Sequence, residues 1–252
     1  MDNNRKNVEI LMKTKDFLVV YKPAGMPVQT NSATRMDLEH YLLNLLSLEK
    51  ADPHAGQKEI LGGRRQELYV IHRLDQPVEG ILVFARNQKT AAELGRQLED
   101  GRMKKQYLAV VCGNPEEEAK LSDYLLRDGR TNTSRVADPS EKGAKQAQLI
   151  YRCLLRTGDG RALLKIDLLT GRHHQIRVQL AAAGLPILGD RKYGQQENET
   201  FTEGKTENMA AYPALCAASL TFSHPKTGKQ LSFQMEPQNP AFPEMKKGES
   251  AG

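Results

Sequence analysis

Asp75 ends one apolar run, Tyr69 to Leu74, and opens the break Asp75-Gln76-Pro77-Val78-Glu79 before a second run, Gly80 to Ala85. Two short apolar runs around a Pro-containing break read as strand, loop, strand, so the carboxylate sits in a loop held by strand ends. Loops on such a scaffold are where chemistry is commonly placed. A carboxylate there can attack as a nucleophile or take up a proton. Arg73-Leu74-Asp75 taken alone also fits a surface ion pair at a strand end. His72, His173 and His174 raise the question of a metal, yet neighbouring helical positions point about 100° apart and do not converge like an HExxH pair. Cys112, Cys153 and Cys216 are odd in number and lack CxxC spacing, so neither a disulfide framework nor a thiolate zinc site is read, and buried free thiols are expected. No metal and no organic cofactor is implied.

The elements that must position Asp75 are legible in part. Phe17 to Lys22 is a β-branched and aromatic run ending at the turn Pro23-Ala24-Gly25. Thr34 followed by Asp37 resembles a capping box for a helix carrying Leu38, Tyr41, Leu42, Leu45 and Leu46. Ser47 to Glu67 is polar and Gly-containing and reads as a long exposed connection. Asn87 offers an N-cap for a helix through Leu94 and Leu98 to Gly101, and Tyr107 to Val111 returns as a strand. Arg127 to Lys145, with five basic residues, reads as a mobile binding loop rather than a tight turn.

Further along, Ala147 to Leu155 and Arg161 to Leu169 form a predicted hairpin about Gly158-Asp159-Gly160. Leu164, Ile166 and Leu168 alternate there with Lys165 and Asp167, which predicts one buried face. His174 to Ala183 reads as a helix ending at Gly184, and Tyr193 to Ala210 as a polar excursion with little to bury. Leu215 to Phe222 and Gln230 to Phe233 are a final strand pair about His224 to Gly228. Strands outnumber helices without a βαβ rhythm, so the class is α+β on a mixed, largely antiparallel sheet with flanking helices.

The 252 residues, 39% of them apolar, suffice for a substantial core, and one domain over 1–252 is expected. Lys and Arg number 36 against 31 acidic residues, a net charge of +5 that suits a polyanion without requiring one. The polar start MDNNRKNVEI has no apolar h-region, and no run approaches the roughly 20 apolar residues that span a bilayer. A soluble cytoplasmic protein, acting as a monomer without a membrane partner, is expected.

An ordered series of segments then carries more than any one motif. Asp16-Phe17-Leu18-Val19-Val20-Tyr21-Lys22-Pro23-Ala24-Gly25, His72-Arg73-Leu74-Asp75, Gly80-Ile81-Leu82-Val83-Phe84-Ala85-Arg86 and Lys105-Gln106-Tyr107 with Gly113 come first. Leu169 to Arg177, Gly184-Leu185-Pro186-Ile187, Gly189-Asp190, Tyr193-Gly194 and Phe222-Ser223-His224-Pro225 follow. The series resembles the RluA family of RNA pseudouridine synthases over residues 16 to 242. That resemblance implies the pseudouridine synthase catalytic fold with a central RNA-binding cleft, no cofactor, and structured RNA, ribosomal or transfer, as partner, with no DNA. No S4-type RNA-binding extension is expected ahead of the catalytic pattern.

The resemblance also assigns residues. Asp75 either attacks as nucleophile or removes a sugar proton, Tyr107 stacks on the target base near C5, and Arg177 is the pocket arginine beside the carboxylate. Arg73 fills the space vacated by the flipped nucleotide, while His72, Lys22, Arg172, His174 and Gln175 lie in segments that contact RNA. A flipped uridine is needed because a stacked base cannot reach such a pocket. Three departures from the family pattern stand out: Val78-Glu79-Gly80 for Thr-Ser-Gly, Cys216 for histidine in Leu-His-Ala, and His173 for threonine. All three spare the aspartate, the tyrosine and the arginine. The rival readings are a catalytically silent RNA-binding module of the same fold and a histidine–metal hydrolase.

Overall fold

The computed structural model describes residues 8–32, 34–48, 67–194 and 212–243. The chain divides into two compact units, Met1–Met103 with Leu220–Met235, and Lys104–Ser219 with Glu236–Gly252.

The first unit contains β1 (Glu9–Lys13), β2 (Phe17–Lys22), α1 (Leu38–Leu48), β3 (Tyr69–Val70), β4 (Glu79–Ala85) and α2 (Gln88–Glu99). Part of β10 (Leu215–Ser223) and β11 (Gln230–Gln234) complete it, in the order β1-β2-β4-β10, with β3 on β4 and β11 on β10. The β1–β2, β2–β4 and β3–β4 pairs are antiparallel. Every residue of β2 and β4 is buried, which is why both read as unbroken apolar runs rather than as alternating ones. On one face Phe17, Val19, Ile81, Val83, Leu220 and Phe222 pack with Leu94 of α2. The Asn87 side chain accepts the Thr90 amide at 2.9 Å and so caps α2 as its sequence predicts.

Two expectations need correction in this unit. The cap of α1 is Asp37, whose Oδ1 accepts the His40 amide at 2.8 Å, and not Thr34. The buried Asp37 carboxylate also accepts the Thr30 amide, so the chain bends into the helix three residues later than the capping-box spacing suggests. Ser47 and Leu48, read as the start of a long connection, belong to α1, and residues 49–66 lie outside those described.

The second unit is strand-rich: β5 (Lys104–Cys112), β6 (Glu118–Asp128), β7 (Thr133–Ala137), β8 (Lys145–Arg156), β9 (Arg161–Leu168) and α3 (Gln175–Ala182). Its strand order is β10-β5-β9-β8-β6-β7, and the β5–β9, β8–β9, β6–β8 and β6–β7 pairs are antiparallel. The β8–β9 hairpin stands where its sequence places it, and Leu164 and Ile166 are buried on its inner face. Leu108, Val110, Cys112, Leu163, Leu188 and Ala214 form one core cluster, and Leu125, Ala147 and Val178 a second beneath α3. Gly113 strains any side chain, because its φ of +121° suits glycine and a β-carbon there would meet the Gly184 carbonyl at 3.1 Å. The cysteines are free and buried, as expected.

The segment Arg127 to Lys145 is not a mobile loop. Arg127 pairs with Ser134 and Leu125 with Val136 in the β6–β7 hairpin. Its two turns are fixed by side chains: Asp128 Oδ1 accepts the Arg130 amide at 2.8 Å, and Asp138 Oδ1 the Ser140 amide at 2.9 Å. Arg135 pairs with Glu141 across the second turn. Polar composition thus builds a stapled hairpin here, because Asp side chains close turns as well as solvate loops. The excursion read over Tyr193 to Ala210 lies mostly outside the described residues; of it, Tyr193 and Gly194 are seen.

Candidate active site

In the first unit Asp75 lies, half-buried, in the loop between β3 and β4. The Val78 amide donates to the Asp75 carbonyl at 3.0 Å and closes the turn. The next carbonyl, that of Gln76, accepts the Gly25 amide at 2.9 Å and Lys22 Nζ at 3.1 Å. Lys22 Nζ also donates to the Pro23 carbonyl at 3.0 Å and the Met26 carbonyl at 2.8 Å. All three ammonium hydrogens therefore have a main-chain oxygen, and the end of β2 is tied to the Asp75 loop. Lys22 is 0% exposed. Burial drives its pKa down to about 7, against the opposing pull of the Asp75 and Glu79 carboxylates.

Glu79, the residue that departs from the family's small hydroxyl position, is buried at the start of β4 and accepts the Tyr21 hydroxyl at 2.7 Å. It thus brings a second carboxylate to the neighbourhood of Lys22. Arg73 is exposed and His72 half-buried.

The second unit holds Tyr107 on β5 and Arg177 on α3, both buried. Arg177 is 4% exposed and grips Asp190 with two contacts, Nε to Oδ2 at 2.7 Å and Nη2 to Oδ1 at 2.8 Å. Two parallel N–H bonds to one carboxylate fix the guanidinium plane as well as its charge. Asp190 Oδ1 also accepts the Lys192 amide at 3.0 Å and the Tyr193 amide at 3.3 Å. The turn so formed lays the Tyr193 ring 5.1 Å from the Arg177 guanidinium carbon. Tyr193 is held in turn: its hydroxyl accepts the Ser134 amide at 2.8 Å and meets His174 Nδ1 at 2.7 Å.

His174 begins α3 in the left-handed conformation, φ 53°, and its ring stacks on His173 with centroids 3.7 Å apart. His173 Nδ1 bonds the Ser134 hydroxyl at 2.9 Å. The two rings lie face to face and turn their Nδ1 atoms to separate hydroxyls. Among the described residues no group of His, Cys, Asp and Glu could hold a metal ion. Gln175 works on the chain itself: its Oε1 accepts the Thr170 hydroxyl at 2.8 Å and the Arg172 amide at 2.9 Å, and its Nε2 donates to the Gln148 carbonyl at 3.0 Å. Arg172 stays exposed.

Sequence reasoning named Asp75, Tyr107 and Arg177 but gave no role to Asp190, Tyr193 or Glu79. The first two stood in matched segments, and a Gly-Asp pair thirteen residues after a buried arginine was the available signal.

A family model for RNA pseudouridylate synthases matches residues 16–182, and the chain belongs to that family, within its RluA type. It is 35% identical over 225 residues to the dual-specificity RNA pseudouridine synthase RluA of Escherichia coli strain K12, covering 89% of this chain and 91% of that one. The ribosomal large subunit pseudouridine synthase D of Zymomonas mobilis is 32% identical, with 91% of this chain and 69% of the relative covered. The tRNA pseudouridine synthase C of Haemophilus ducreyi is 30% identical, with 90% and 89% covered. The solved structure of human RNA pseudouridylate synthase domain containing 4 shares the fold at a TM-score of 0.69 and 22% identity, covering 91% of this chain and 89% of its own.

Proposed function

We propose that this chain isomerises uridines to pseudouridine in structured ribosomal or transfer RNA. The observation that carries the reading is the family match together with an aspartate, Asp75, whose loop is tied down at the following carbonyl by Lys22 and Gly25. The reaction breaks the bond between N1 and C1′, turns the uracil, and joins C5 to C1′; C5 loses its proton and N1 gains one. Nothing is oxidised or reduced, so side chains suffice.

Asp75 opens the reaction as nucleophile or as base on the sugar. Tyr107 stacks on the flipped base, and Arg177 supplies the positive charge of the site. Arg73 and Arg172, both exposed, contact RNA, with His72 and His174 beside them in sequence. For Lys22 and Gln175 the hydrogen bonds favour holding loops in place over touching RNA. The same reading has the enzyme acting as a cytoplasmic monomer, without DNA or a membrane as partner.

The test is incubation of the purified protein with cellular RNA in EDTA, followed by position-resolved mapping of pseudouridine. New pseudouridines at defined positions are the expected result. RNA that is bound yet left unmodified would turn the reading toward a silent binding module.

A further inference from the structure

Burial lowers the pKa of two lysines of the described chain, the fully buried Lys22 and the half-buried Lys105, and they differ in what surrounds them. Lys22 has three carbonyls and the pull of two carboxylates. Lys105 has neither: burial alone lowers its pKa, and among the described residues it makes no hydrogen bond and no ion pair. An ammonium partly withdrawn from water without a compensating group is unfavourable, and a bound anion would supply the missing partner.

The position of Lys105 says which ligand. It is the second residue of β5, two before Tyr107, so the two side chains leave the same face of the strand. That is the face opposite Leu108, Val110 and Cys112, which pack into the core. A β-carbon built on Gly171 would lie 3.6 Å from Lys105 Nζ, which sets the ammonium against the turn from Thr170 to Arg172. That turn is stapled by Gln175, and it presents the exposed Arg172 as a second cation. The acid nearest in register, Asp167, is engaged by the Gln106 side-chain amide at 2.8 Å.

Building on the reading of the chain as an RNA pseudouridine synthase, we propose that Lys105 binds a phosphate of the RNA backbone beside the base that stacks on Tyr107. The phosphate restores the charge partner that the fold withholds. Lys105 is then a substrate-positioning residue that Arg can replace and an uncharged side chain cannot.

The experiment measures binding of a substrate RNA by wild type, Lys105→Met and Lys105→Arg across a salt series, with single-turnover rates at saturating RNA. Lys105→Met should bind about tenfold more weakly, with the slope of log affinity against log salt reduced by about 1. Lys105→Arg should restore both. A structural role would lower thermal stability while leaving the slope of the folded protein unchanged.

As a second arm, the wild-type protein is acetylated with and without RNA and read by mass spectrometry; RNA should protect Lys105 severalfold. Wild-type affinity and slope in Lys105→Met, or no protection of Lys105, overturns the proposal. A wild-type protein that neither binds nor modifies RNA would instead overturn the functional reading on which it rests.

Discussion

Lys22 and Arg177 are both buried cations, and the two units of the chain hold them in opposite ways. Lys22 is ringed by main-chain carbonyls, which fix a shape: the end of β2, the turn after it and the Asp75 loop become one piece. Carbonyl dipoles replace only part of the lost hydration, and its pKa falls to about 7. Arg177 is gripped by a carboxylate on two edges, which fixes a charge, and a guanidinium keeps its proton throughout the accessible pH range. A lysine among carbonyls is therefore a pH-sensitive clamp, whereas an arginine on an aspartate is a constant one.

The largest effect belongs to the pair. Asp190→Ala leaves a buried guanidinium without its carboxylate and releases the turn at Lys192 and Tyr193, so denaturant unfolding should show a loss of about 3–5 kcal/mol. Replacing both partners, Arg177→Met with Asp190→Leu, should regain the part lost to the unpaired guanidinium but not the part held by the turn, while abolishing activity. Retention of wild-type stability by Asp190→Ala would break the contrast, since Arg177 would then need no carboxylate.

The lysine clamp predicts a pH signature. Between about 7 and its ordinary 10.5, Lys22 is protonated in the unfolded chain and deprotonated in the folded one. The unfolded state binds more protons there, so wild-type stability should rise with pH relative to Lys22→Met, by up to about 1.4 kcal/mol per pH unit. Below pH 7 the difference should be flat. Chemical denaturation of both proteins at several pH values checks this, and parallel curves from pH 7 to 10 would contradict it.

The contrast explains what could be read from the sequence. The Asn87-capped helix, the β8–β9 hairpin and α3 up to Gly184 were legible, because caps, turns and periodicity are local. The two strands at the β7 end of the sheet were not. β6 alternates half-buried and exposed residues with few strongly apolar ones, and the β6–β7 hairpin hides in a composition that reads as loop. Within the site, residue types were legible and partners were not. Lys22 reads as a basic residue free for RNA, since the Gln76 carbonyl that accepts its hydrogen bond lies 54 positions away. Asp190 and Tyr193 emerge only when the turn after Ile187 brings them to Arg177 and His174.

Glu79 sharpens the comparison with a smaller change. It is one of two carboxylates that raise the Lys22 pKa, so Glu79→Gln should move the start of the pH-dependent rise below about 7. The bond from the Tyr21 hydroxyl would pass from a charged to a neutral acceptor, a loss of about 1–2 kcal/mol near neutral pH. Denaturation curves of Glu79→Gln alone and combined with Lys22→Met provide the check: the shift should vanish in the double variant.

The central claim is that Asp75 performs the chemistry, and Asp75→Asn tests it most directly. The substitution keeps the size of the side chain and removes the charge on which both routes depend. Pseudouridine formation on substrate RNA and RNA binding are measured side by side in EDTA, with mass spectrometry excluding deamidation back to aspartate. Turnover should disappear while affinity for RNA stays within a few-fold of wild type, because contacts to phosphates dominate binding. Appreciable pseudouridine formation by the Asp75→Asn protein would contradict it.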